Sequence, residues 1–97
     1  MSVWTLLLYE FVPDYLERRA PLREEHLRLI REAEARGELT HAGPFDDPVA
    51  GTFDGGVMVF KTTDHELVTR FAEADPYVKN GVVTRYRVRR WHVVVGG

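Results

Sequence analysis

The chain of 97 residues contains no cysteine. That absence excludes disulfide staples, thiolate nucleophiles and cysteine-ligated zinc. Nowhere does the chain approach the ~20 consecutive apolar residues that a membrane span needs. No basic run precedes an apolar stretch at the N-terminus, so no secretory signal is read there. Neither sign of charge is in excess: thirteen Lys+Arg stand against fifteen Asp+Glu, a net −2. Such a balance favours neither nucleic acid nor an anionic membrane as partner. Lysine itself is scarce. Only Lys61 and Lys79 occur, so the cationic side chains are almost all arginine, whose forked donors suit carboxylates and enolates. With 44% apolar and 29% charged residues, the composition is that of one ordinary globular domain, expected to span 1–97 and to be cytoplasmic.

Hydrophobic periodicity divides the chain. Val3–Phe11 reads as a strand with apolar residues on both faces, Trp4/Leu6/Leu8 and Val3/Leu7/Tyr9/Phe11. After a helical turn in Asp14–Ala20, Pro21–Arg36 reads as a helix, with Leu22, His26, Leu29, Ile30 and Ala33 on one stripe and Gly37 closing it. On its outer side, Glu24–Arg28 and Glu32–Arg36 are spaced for i,i+4 pairs. Leu39–Phe45 follows as a second strand, Asp46–Gly55 as a loop with Asp46 and Asp47 as solvated charges, and Gly56–Thr62 as a third strand, again apolar on both faces. Thr63-Asp64-His65-Glu66 has the capping-box pattern and opens a second helix, which Asp75-Pro76 ends. Val82–Val95 is the last strand. Its apolar positions change parity beyond Arg90, which predicts a bulge or a break there.

The order β-α-β-β-α-β is the α+β, ferredoxin-like arrangement. Two helices cover one face of a four-stranded sheet, and nothing in the chain remains to cover the other. A second copy of the same face is the simplest cover, so a homodimer is expected.

His26 is the most informative residue, because its place in the apolar stripe asks for Leu or Ala. It reads either as a core histidine with backbone partners or as an imidazole placed for general acid–base work. Asp75, at the end of the adjacent helix, is the natural carboxylate partner, although Asp-Pro is also a common turn dipeptide. Arg23 lies within one turn of His26 and is the better anion-binding candidate. For Arg19, Pro21 puts helical continuity in question. His41, His65 and His92 sit on different elements without metal-ligand spacing, and Asp54-Gly55-Gly56 lacks the spacing of a phosphate cradle. No metal and no cofactor are expected.

The run Leu16-Glu17-Arg18-Arg19-Ala20-Pro21-Leu22-Arg23-Glu24-Glu25-His26-Leu27 resembles the first-helix signature of the YCII-related (YciI-like) family. The likeness continues through Gly37-Glu38-Leu39 and Ala42-Gly43-Pro44 to Asp75-Pro76-Tyr77-Val78-Lys79-Asn80-Gly81-Val82. It implies a ferredoxin-like fold that pairs as a dimeric α/β barrel, and a His–Asp pair that maps onto His26 and Asp75. With it, the functional reading of His26 becomes the better one. One characterised relative is a dehydrochlorinase acting on a chlorinated hydroxyquinol. The Gly-Ser seen in many relatives before the third strand appears here as Gly55-Gly56, so a hydroxyl donor is lost.

The function expected is a cofactor-free enzyme acting on a small hydroxylated aromatic or enolisable substrate by elimination or isomerisation. His26 would move the proton and Asp75 would orient the imidazole. Arg23 or a backbone N–H near Gly55 would hold an oxyanion, and Tyr9, Phe45 and Tyr77 would line the pocket. The alternatives are a non-catalytic small-molecule-binding or accessory module, and a purely structural His26–Asp75 pair.

Overall fold

The computed structural model describes residues 2–97. Along the first apolar run, Leu7 and Tyr9 are buried while Leu6 and Leu8, at the alternate positions, are half-buried, the period of a strand with two unlike faces. This is β1 (Ser2–Phe11). It is followed by α1 (Tyr15–Arg19), a 3-10 turn (Ala20–Leu22), α2 (Arg23–Ala35), β2 (Leu39–Asp46), β3 (Phe53–Phe60), α3 (His65–Ala74), α4 (Pro76–Lys79) and β4 (Val83–Val93). The strands form one antiparallel sheet in the order β2-β3-β1-β4. With α1 and α4 as short additions, this is the expected ferredoxin-like α+β arrangement.

Helices α2 and α3 lie on one face of the sheet. Leu7, Met58 and Phe60 from the strands meet Ala33, Val68 and Ala72 from the helices in the core. Burying each of the large side chains contributes about 1.5–3 kcal/mol. Gly37, with φ of 77°, closes α2 as expected, and the Glu38 N–H returns to the Ala33 carbonyl. No helix among the described residues is long and apolar enough to cross a membrane.

Several local expectations are corrected. Asp64, not Thr63, caps α3. Its carboxylate accepts from the N–H groups of Glu66 and Leu67, and a carboxylate at this position also favours the helix dipole. On α2, Arg28 pairs with Glu25 and Glu32, and Arg36 pairs with Glu38, in place of the expected i,i+4 pairs. The loop after β2 is shorter than expected because β3 begins at Phe53. Asp47 is not merely solvated: it accepts from the N–H groups of Val49 and Ala50 and shapes the turn. The predicted slip beyond Arg90 does not occur. Pairing of β4 with β1 is continuous from Val93 to Arg85, and the irregularity lies at Glu10/Phe11. The apolar residues change face instead. Tyr86 and Val88 pack against the helix-covered core, whereas Trp91 opposes Trp4 on the other face, their rings 6.1 Å apart and edge-on.

That other face has no helix over it. Leu6 is paired with Val59 and Leu8 with Val57, beside the two tryptophans. Phe45 also lies on this side, above Gly55, where an added Cβ would come within 2.6 Å of the Phe45 ring and 2.6 Å of the Tyr9 carbonyl oxygen. The ring can move but the carbonyl belongs to the central strand. Gly55→Ala is therefore expected to destabilise the fold by about 1–3 kcal/mol, read from the midpoint of a denaturant titration. An unchanged midpoint would contradict this close approach.

Candidate active site

Pro76 holds Asp75 in extended backbone, with φ of −70° and ψ of 123°, so α3 stops there and α4 starts. Asp75 thus ends one helix and caps the next, accepting the Tyr77 N–H at 3.0 Å on Oδ1. The side chain is wholly buried. From β1, the Tyr9 hydroxyl donates to Oδ2 at 2.7 Å. From α2, His26 Nδ1 lies 2.8 Å from Oδ1 and 3.0 Å from Oδ2. The turn reading of Asp-Pro and the pairing with His26 are both realised. Among the described residues, no buried side-chain nitrogen or oxygen lacks a hydrogen-bond partner.

A carboxylate only accepts, so Nδ1–H is the donor in this contact and Nε2 of the neutral ring keeps the lone pair. Nε2 has no protein partner among the described residues, and the imidazole lines a cavity between α2 and the sheet. The Tyr77 ring stacks on the imidazole at 3.7 Å and 7°, which leaves the ring little freedom to rotate. The cavity holds about 160 Å³. Its floor is Gly43, Pro44, Gly56 and Met58, and its rim includes Tyr15, Arg19 and Arg23.

Of the residues singled out in the sequence, His26, Arg23, Tyr9 and Tyr77 come together at this cavity. Phe45 and Gly55 do not line it. The pairing of Tyr9 with Gly56 and of Glu10 with Gly55 puts Gly56 on the cavity side and Gly55 on the open side, where Phe45 covers it. Gly56, where the family resemblance has serine, is therefore the residue that reaches the cavity. A Cβ there would lie 3.0 Å from Phe11 and 3.1 Å from the Gly43 carbonyl oxygen. Sequence reasoning underrated Arg19 and did not single out Tyr15. The 3-10 turn carries the chain through Pro21 without a break, so Arg19 stays on the cavity side. Its guanidinium donates to the Tyr15 hydroxyl at 3.1 Å and lies 4.9 Å from that ring's centre.

A family model described as the YCII-related domain matches residues 3–92. The chain belongs to the YCII-related family. Protein YciI of Escherichia coli O6:H1 is 33% identical over 81 residues, covering 78% of this chain and 83% of the relative. An uncharacterized protein of Haemophilus influenzae is 29% identical over 85 residues, covering 82% of this chain and 87% of its own. Among solved structures, 5-chloro-2-hydroxyhydroquinone dehydrochlorinase from Burkholderia phenoliruptrix, in complex with 2,5-dihydroxybenzoquinone, superposes with a TM-score of 0.74. That match covers 92% of this chain and 93% of the other at 22% identity, which establishes a shared fold.

Two phenols at the site are held neutral. Burial, then the Asp75 charge, pushes the Tyr9 pKa far above its usual 10.0. Burial and the neighbouring Tyr15 push Tyr77 up to about 12, against the pull of Arg19 and Arg23. In both cases the folded chain keeps a proton that the unfolded chain releases. Their contribution to stability is therefore full below pH 10.0, the unfolded value, and is lost as pH rises beyond it. An ultraviolet titration is expected to leave these two tyrosines un-ionised at pH 10.0, with their ionisation accompanying alkaline unfolding. Ionisation of all four tyrosines near pH 10.0 in the folded protein would contradict this placement.

Proposed function

We propose that this protein is an enzyme that moves a proton on a small hydroxylated aromatic or enolisable substrate, with His26 as general base and acid. One observation carries the reading: His26 gives Nδ1 to a buried carboxylate, has no protein partner on Nε2 among the described residues, and lines a cavity. In this scheme Nε2 takes a proton from a substrate O–H or from a C–H beside a carbonyl. The electron pair left on the substrate then either expels a leaving group as an anion or is reprotonated by the imidazolium at another carbon. The first course is an elimination and the second an isomerisation, and each balances without an oxidant or reductant. Asp75 holds the ring and stabilises its charged form. The cavity's size supports a single-ring substrate, since a cavity of about 150 Å³ accommodates benzene. The dehydrochlorinase of the same fold, solved with a dihydroxybenzoquinone, supports the same class.

Hydroxylated aromatics and enolisable ketones are the compounds to screen. With a turned-over substrate in hand, His26→Ala is expected to lower kcat by about 10²–10⁴-fold. Ring ¹⁵N shifts of wild type are expected to show Nδ1 protonated and Nε2 as acceptor, and Asp75→Asn is expected to remove that preference. Ligand binding without turnover, unchanged by His26→Ala, would replace catalysis with a binding module. A loss of stability in His26→Ala with activity retained would make the pair structural.

The assembly proposed with this function is a homodimer joined through the open sheet face, as in a dimeric α/β barrel. Trp4, Leu6, Leu8, Val57, Val59 and Trp91 give that face its apolar character, and Trp91 is 40% exposed. Sedimentation is expected to give a dimer for the wild type and a folded monomer for the double variant Leu6→Glu, Leu8→Glu. A monomeric wild type would overturn the assembly.

A further inference from the structure

The cavity carries positive charge that no carboxylate pairs with among the described residues. Arg28, Arg36, Arg70 and Arg85 each have a carboxylate within reach, on the outer surface of the molecule. Arg19 and Arg23, both at the cavity, form no salt bridge among the described residues. The cavity lining contains no Asp or Glu. The nearby carboxylate, Asp75, is sealed behind His26 and Tyr77 with no solvent exposure and with its oxygens already taken by three donors. Arg19 is also held in place. It is half-buried, and its contacts with the hydroxyl and ring of Tyr15 fix the guanidinium before any ligand arrives, so less ordering remains to be lost on binding.

We infer that the ligand of this cavity is a single-ring anion, bearing a carboxylate or a ring enolate that sits between Arg19 and Arg23 while the ring lies against His26. The inference rests on the cavity being the site of the proposed reaction and adds the charge of what enters it. A planar guanidinium fork matches either anion in two-point contact. Two cations on the rim also favour capture of an anion from solution, and this attraction weakens as salt is added.

The test is calorimetric titration near neutral pH with three probes of one six-membered ring each: para-hydroxybenzoate, 2,5-dihydroxybenzoquinone and the neutral para-hydroxybenzamide. The dihydroxybenzoquinone ionises below neutral pH because its hydroxyls are vinylogous carboxylic acids. At least one anion is expected to bind about tenfold more tightly than the amide. Preference for the benzoate identifies a carboxylate head, and preference for the quinone identifies a ring enolate. In the double variant Arg19→Gln, Arg23→Gln, the preference is expected to vanish. Arg31→Gln, on α2 like Arg23 but away from the cavity, is expected to retain it. His26 ring signals, followed by NMR in each titration, show whether the probe occupies this cavity. Equal binding of all three probes, with His26 perturbed, would overturn the charge selection and leave the acid–base reading standing. A preference that persists in the double variant would likewise overturn it. Failure of every probe to perturb His26 would overturn both.

Discussion

The Asp75 carboxylate is the constraint around which this end of the molecule is built. A carboxylate taken wholly out of water loses several kcal/mol of hydration unless hydrogen bonds replace it. Here the replacements come from three places: Tyr9 on β1, His26 on α2 and the Tyr77 N–H of α4. No one element can satisfy the group, so it is satisfied only when strand, helix and turn are docked together. This accounts for a tyrosine rather than phenylalanine at position 9, which is buried at 3% exposure. It also accounts for Pro76, which stops α3 so that the Asp75 side chain turns inward.

Strands and helices were legible where burial sets a clear period, as in β1 and in the stripe through His26. The partnership of His26 with Asp75 could be read because each residue sits at an element whose neighbour in the ferredoxin-like order carries the other. What escaped depended on register and on backbone detail. Gly55 and Gly56 are adjacent and chemically alike, and only pairing with Glu10 and Tyr9 decides which one faces the cavity. With the loop read through Gly55, that parity had no anchor, and Phe45 was carried to the wrong side with it. Arg19 was set aside because proline ordinarily interrupts a helix, yet a 3-10 turn tolerates Pro21 and keeps the chain's direction. The parity change in β4 had two physical solutions, a slipped chain or a second apolar surface. The structure takes the second, since Trp91 meets Trp4.

The two faces of the sheet carry different work because their residues alternate along the same strands. Tyr9 and Gly56 belong to the cavity, whereas Leu8, Glu10 and Gly55 beside them belong to the open face. A change of one residue in register would exchange the two sets. The unbroken pairing of β1 with β3 from Thr5 to Glu10 is therefore as necessary to the site as the site residues themselves. Gly55 and Gly56 are suited to this boundary, since a side chain on the first would press on Tyr9 and Phe45 and one on the second would narrow the cavity floor.

The order of charges through the site gives the proposed proton transfer its electrostatic logic. From the interior outward lie the Asp75 carboxylate, the His26 ring, the cavity that would take the proposed ligand, and then Arg19 and Arg23. When a proton passes from ligand to Nε2, the ring becomes positive and the ligand gains a negative charge. The net charge of the site is unchanged, and the signs then alternate: carboxylate negative, imidazolium positive, ligand negative, guanidiniums positive. Every new charge is formed next to its opposite, in a region where burial weakens solvent screening. Because Asp75 is fixed by three hydrogen bonds and the imidazole by the Tyr77 ring, these groups need not reorganise as the charges develop. A proton leaving even a neutral ligand thus leaves an anion set between the imidazolium and the guanidiniums. The same arrangement assists formation of an anion beside the ring, with opposite charges already in place on both sides of it.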